Sequence, residues 1–196
     1  SIDNTVTIIE NYCEKDTRIK LVKNNMNYGT YYSLNEGLRI SNGHYLTKLD
    51  SDDIYSIDKI EKQLNFCIEN NIEGCTCNII QKYSYINKIY FKTISNVSSL
   101  MFSRNIFNKL GYYDNCRFDS DSEYLYRVKK IFNILNINNN LYIANYRNNS
   151  LTTSNNTGCK QNTLGVNIRK IYKNNYHNVE SCYVNHPKYI RHYKIH

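Results

Sequence analysis

Proline occurs once in these 196 residues and glycine seven times, which excludes collagen-like and loop-dominated chains and leaves a globular protein rich in regular structure. No apolar run approaches the roughly 18–20 residues that cross a bilayer as a helix, so no transmembrane segment is expected. The polar opening Ser1-Ile2-Asp3-Asn4 does not read as a secretory leader. Paired cysteine spacing is missing too. The seven cysteines (13, 67, 75, 77, 116, 159 and 182) are odd in number and scattered, and Cys75-Thr76-Cys77 has no second pair to complete a zinc set. Reduced thiols in a cytoplasmic setting are the expectation.

What is present fits one domain with a real core, at 41% hydrophobic residues. The net charge of +8 is uneven: residues 160–196 hold seven Lys or Arg against Glu180 alone, whereas the preceding residues hold eighteen against sixteen. The excess therefore belongs to the C-terminal end. Basic tails are usually solvated or meet any available anion; a nucleic-acid face is the alternative that the charge leaves open.

The pattern runs helix, strand, helix, strand, helix. Asp3 or Asn4 can cap a helix from about Thr5 to Glu14, and Ile19–Val22 reads as a short strand. A helix over about Thr30–Ile40 comes next, with Tyr31, Leu34 and Leu38 inward, then a buried strand, Tyr45–Leu49. The next helix spans about Ile57 to Asn70 with Ile60, Leu64 and Cys67 on its buried side. This cadence predicts an α/β fold with a mainly parallel sheet. Further along come a hairpin of Cys75–Gln81 with Lys88–Thr93 and a strand at Ser98–Phe102. A short helix, Arg104–Leu110, is stopped by Gly111; a helix from about Ser122 to Phe132 has Leu125, Val128 and Ile131 or Phe132 inward. A late strand covers Leu141–Tyr146, and a last helix about Asn162–Tyr176.

Acidic residues punctuate this scheme. Leu49-Asp50-Ser51-Asp52-Asp53 closes a strand, where open α/β sheets bind ligands. Unpaired carboxylates are too costly to bury, so they face a cation, a donor-rich ligand or water. Asp50 and Asp52 lie two apart and point the same way in an extended backbone, which suits Mg²⁺ or Mn²⁺ held partly by a substrate's phosphates. A solvated acidic turn is the plainer reading. A calcium loop fails, because Ile54 stands at its fifth position and Tyr55 at the sixth, where glycine is required. Gly29, before the second helix, allows either close approach of a phosphate to free N–H groups or an ordinary turn. Gly37, in mid-helix, predicts a close packing neighbour. The second acidic stretch, Asp119-Ser120-Asp121-Ser122-Glu123, opens a helix, where carboxylates also serve as dipole caps.

Asn27-Tyr28-Gly29, Asn35-Glu36-Gly37-Leu38, Asn42-Gly43-His44-Tyr45 and Leu49-Asp50-Ser51-Asp52-Asp53 together resemble the donor half of family 2 glycosyltransferases. These are inverting enzymes of the GT-A fold that use nucleotide-diphosphate sugars. Ser98–Phe102, Leu110-Gly111-Tyr112-Tyr113-Asp114 and Asp121-Ser122-Glu123-Tyr124 with Arg127 are similar to the family's acceptor side, and Ser150-Leu151-Thr152 after Arg147 to a late donor-side loop. The resemblance implies a GT-A-like domain over 1–153, a Rossmann-like sheet flanked by helices. Residues 154–196 are left as a C-terminal helix and basic aromatic tail.

It further implies a nucleotide-diphosphate sugar donor, a glycan, lipid or protein acceptor, and Mn²⁺ or Mg²⁺ held by Asp50 and Asp52. Asp121 or Glu123 would be the catalytic base, and Asn27, Gly29, Asn35, Asp53, Arg127 and Arg147 would bind substrate. Leu34 departs from the pattern, standing where many relatives place Arg or Lys. Against the family pattern the chain also opens just past the second strand, and the expectation is that the first strands either lie on a separate N-terminal segment or have been lost. A non-catalytic module of the same fold is the alternative to turnover.

Overall fold

The computed structural model describes residues 3–85, 88–95, 97–116 and 119–146. Arg147, the loop after it, the expected last helix and the basic tail lie outside the described residues. Among the described residues five α-helices and six strands alternate: α1 (Thr5–Lys15), α2 (Thr30–Ile40), β1 (Tyr45–Thr47), β2 (Ile54–Tyr55), α3 (Lys59–Glu69), β3 (Gly74–Tyr85), β4 (Lys88–Ser95), β5 (Met101–Ser103), α4 (Arg104–Leu110), α5 (Ser120–Ile131) and β6 (Ile134–Tyr146).

The sheet runs β1-β5-β3-β6-β2, with β4 also paired to β3. It is mixed. The long β3–β6 pair is parallel, while β1–β5, β3–β5, β2–β6 and the β3–β4 hairpin are antiparallel. Parallel pairing is thus more confined than the helix–strand cadence suggests, because short returns and a hairpin supply most neighbours and need no crossover helix. Ile19–Val22, expected as a strand, is irregular and mostly exposed; it has no ladder partner among the described residues, and an extended segment gains its backbone bonds only from one.

Helices cover both faces. On one side α2, α4 and α5 bring Tyr31, Ile106, Leu110, Tyr124 and Val128 against Leu46, Leu100 and Phe102. Removing each such side chain from water contributes about 1.5–3 kcal/mol. On the other side α3 sets Cys67 against Cys75 and Met101. Gly74 lies where the layers are tightest: a Cβ there would sit 2.7 Å from the Met101 carbonyl oxygen.

Two elements differ from expectation in an instructive way. In α3 the buried residues are Lys59, Gln63 and Cys67, while Ile60 is 47% exposed. Polar groups turn inward because partners await them: Gln63 Nε2 donates to the Ser99 carbonyl at 3.1 Å, and Lys59 Nζ sits 3.9 Å from the Tyr55 ring centroid. Strand β6 starts seven residues before the expected Leu141. Its Asn136 and Asn138 side chains bond Thr76 and Asn78 of β3 at 2.7–3.0 Å, extending the ladder through a run that composition alone assigns to a loop. Beside Gly37, finally, no heavy atom of the described residues stands within 4 Å of the position a Cβ would take, so the expected close neighbour is absent among them.

Candidate active site

The acidic turn after β1 is held from two sides. Asp53 N–H donates to the Asp50 carbonyl at 3.0 Å, closing the turn. The Asp53 carboxylate accepts from Tyr142 Oη at 2.6 Å and from the Asn145 backbone N–H at 2.9 Å, and Asn145 Nδ2 donates to the Asp52 carbonyl. Burial lifts the Asp53 carboxyl above its usual range against these hydrogen bonds. Asp53 therefore anchors the turn to β6. Asp50 is partly exposed and pairs with Lys48 Nζ at 3.0 Å.

Asn27 Oδ1 accepts from the Gly29 N–H at 3.0 Å, and Gly29, at φ +91°, caps the start of α2. Only glycine adopts that backbone without strain. The α2 first turn thereby opens outward, with no atom of the described residues within 4 Å of the Gly29 Cβ position.

Asn35, expected at the ligand, is fully buried instead. Its Nδ2 donates to the Tyr113 carbonyl at 2.9 Å and its Oδ1 accepts from the Tyr113 N–H at 3.0 Å. Side chains that mimic a strand partner in this way satisfy backbone groups that the loop after α4 would otherwise leave buried and unbonded. Arg127 is likewise enclosed, 2% exposed. It pairs with Glu123 through Nε–Oε1 at 2.6 Å, and donates to the Leu110 and Tyr112 carbonyls, both at 2.7 Å. Glu123 and Arg127 form a buried clamp between α5 and the end of α4. Leu34 packs on the core cluster.

Asp121 is the carboxylate at the head of α5 that stays partly exposed. Among the described residues two hydrogen bonds reach it, both at Oδ1: from Tyr31 Oη at 2.9 Å and from the Ser122 N–H at 2.9 Å. Burial, with Asp121 beside it, raises the Tyr31 phenol well above its ordinary range, so Tyr31 is a firm donor. Tyr113 is pushed up as well, first by burial and then by Tyr124, Asp121 and Asp50. Tyr31 reads from sequence only as an inward residue of its helix; no local pattern marks a tyrosine whose tip reaches a carboxylate.

Among the described residues no group of three or more His, Cys, Asp or Glu side chains is placed to hold a metal ion by itself. Two hard carboxylates of the Asp50 and Asp52 kind remain chemically suited to a cation whose other ligands are phosphate oxygens and water.

Residues 1–134 match the family described as glycosyl transferase family 2. Among relatives, the chain is 44% identical over 72 residues to an uncharacterized glycosyltransferase of Haemophilus influenzae, covering 37% of this chain and 29% of that protein. It is 36% identical over 75 residues to the Escherichia coli UDP-Glc:alpha-D-GlcNAc-diphosphoundecaprenol beta-1,3-glucosyltransferase WfgD, covering 37% of this chain and 30% of WfgD. The fold is similar to the crystal structure of S. aureus TarS (residues 1–349) in complex with UDP-GlcNAc. There the TM-score is 0.62 at 16% identity, over 76% of this chain and 48% of that TarS fragment. The chain accordingly spans less than half the length of these proteins. Fold and matched segment define the class: a mixed α/β protein of GT-A type. The chain belongs to glycosyl transferase family 2.

Proposed function

We propose that this chain carries the catalytic half of a glycosyltransferase that moves a sugar from a nucleotide-diphosphate donor to an acceptor hydroxyl with inversion. The observation that carries the reading is that, within the segment matched to the family, Asp50 and Asp52 after β1 and Asp121 at the head of α5 all stay partly exposed. Two different charges must be managed in such a transfer. A departing nucleotide diphosphate gathers negative charge, and the acceptor hydroxyl must lose a proton on the opposite face of the sugar.

Asp50 and Asp52 would hold Mn²⁺ or Mg²⁺, which when bound neutralises the charge developing on the diphosphate. Asp53 anchors their turn to Tyr142 and Asn145. The open first turn of α2, shaped by Asn27 and Gly29, presents N–H groups suited to the donor phosphates. Asp121 takes the proton from the acceptor, because Glu123, its competitor by sequence, is bound into the Arg127 clamp. Asn35 and Arg127 act by placing Tyr113 and the α4–α5 connection. UDP-sugars are the donors to try first, since UDP-Glc stands in the name of WfgD and UDP-GlcNAc is bound in the TarS structure of similar fold. A cytoplasmic site of action agrees with the free thiols of Cys13, Cys67, Cys75, Cys77 and Cys116, and among the described residues no helix is long and apolar enough to cross a membrane.

Thermal unfolding with UDP, GDP and dTDP, each with and without Mn²⁺, tests the donor side. A ligand at a hundred times its Kd raises folded stability by about 2.7 kcal/mol. The expected result is a midpoint raised by one nucleotide only when Mn²⁺ is present, and unmoved in Asp52→Ala. A midpoint indifferent to every combination refutes donor binding by this chain.

A further inference from the structure

We propose that Tyr31 is the positioning residue of the reaction: its hydroxyl fixes which oxygen of Asp121 receives the acceptor's proton. This rests on the reading of Asp121 as the base. A carboxylate at a helix head can rotate and offer either oxygen, and a base works only if one oxygen is held within hydrogen-bond reach of its proton. Here Tyr31 Oη and the Ser122 N–H both bond Oδ1, at 2.9 Å each. Oδ2 carries neither bond, so it is the oxygen left to face the acceptor.

The donor of that bond is itself held firmly. Tyr31 is 7% exposed, its ring packs beside Tyr113 with centroids 5.9 Å apart, and its phenol sits in the cluster around Phe102 and Tyr124. A rigid aromatic stem costs little rotamer entropy to hold in place, and a supporting bond of this kind sets geometry while the base does the chemistry. Tyr31 also lies in the first turn of α2, two residues past Gly29. The same helix that opens its N–H groups toward the donor phosphates therefore reaches over to the base, and the two halves of the reaction are aligned by a single element. Ser122 alone would leave the carboxylate free to swing about one bond.

The test is steady-state UDP release from UDP-glucose and UDP-GlcNAc with Mn²⁺ and water as acceptor, in wild type, Tyr31→Phe, Asp121→Asn and the double variant. Phe retains the ring and its packing, so the variant should stay folded, its unfolding midpoint lowered only by the loss of one hydrogen bond to a carboxylate. General-base catalysis contributes about 10²- to 10⁴-fold, so Asp121→Asn should lose about that factor and Tyr31→Phe about tenfold, in kcat with the donor KM held within about twofold. If Tyr31 acts through Asp121, adding Tyr31→Phe to Asp121→Asn should cost nothing further.

Full turnover in Tyr31→Phe while Asp121→Asn is inactive overturns the positioning role and leaves the base reading standing. A Tyr31→Phe loss that appears in KM, or that persists undiminished in the double variant, overturns it too. Full turnover in Asp121→Asn, or no Mn²⁺-dependent turnover by the wild type, defeats the reading of the site and the inference with it.

Discussion

Lys59 carries an ammonium into the sheet, where it finds a ring face and a hydroxyl but, among the described residues, no carboxylate partner: Nζ lies 3.9 Å from the Tyr55 ring centroid and 3.4 Å from Thr47 Oγ1. Burial lowers its pKa from 10.5 to about 8, offset in part by Cys77 and Cys75. A folded-state pKa below the unfolded value means that the unfolded chain binds the extra proton. The cost is full below pH 8 and is relieved as pH rises from 8 toward 10.5. At neutral pH it is on the order of 3 kcal/mol, a shift of this size converted at 1.36 kcal/mol per pKa unit. Lys59→Met should therefore be more stable than wild type at pH 7, with the difference shrinking between pH 8 and 10. Urea midpoints across that range check it. A charge retained at such a cost beneath Tyr55, whose hydroxyl donates to the Lys48 carbonyl just before the acidic turn, marks a place where stability is traded for arrangement.

Two glycines, one capping helix α2 and one inside it, look alike in sequence and differ in the fold. Gly29 has φ +91°, whereas Gly37 lies within the helix. Alanine at Gly29 meets no atom of the described residues but must adopt a left-handed backbone, which costs about 1 kcal/mol or more. Alanine at Gly37 adds helix propensity without a clash and should stabilise by about 0.4–1 kcal/mol. The expected pair of outcomes is a lowered midpoint with weakened nucleotide binding for Gly29→Ala, and a raised midpoint with binding unchanged for Gly37→Ala. Thermal unfolding and nucleotide titration read both. The β3–β6 pair makes a related point about strands: Thr76, Asn78, Asn136 and Asn138 pass hydrogen bonds across the parallel ladder and hold it together through a stretch poor in apolar residues.

Over the whole molecule, order is concentrated where helices meet the sheet. Cys75, Cys77, Ile79, Phe102, Ile106, Leu110, Tyr124, Val128 and Tyr142 are almost wholly enclosed, whereas α1 buries none of its residues. Local opening free energies track such burial. Amide hydrogen exchange should accordingly be slowest in β3, β5, β6 and α5 and fastest in α1, by several orders of magnitude. Comparable protection in α1 would show that something covers it in solution.

Much of this was legible from the residues in order. The bounds of α2 and α4 came from apolar spacing and from Gly111, whose φ of +71° ends α4, since these signals act within one turn of chain. The two acidic segments were legible too, because charge at the end of a strand or the head of a helix is a local fact. Which carboxylates stay open was decided by tertiary structure alone. Asp53, Glu123, Asn35 and Arg127 resemble ligand-binding residues in sequence, but partners from β6 or the Leu110–Tyr113 segment claim Asp53, Asn35 and Arg127, and Arg127 in turn holds Glu123 within α5. The inward face of α3 and the reach of Tyr31 to Asp121 belong to the same class. A polar side chain turns inward or outward according to what stands opposite it, and that neighbour is brought there only by the folded chain.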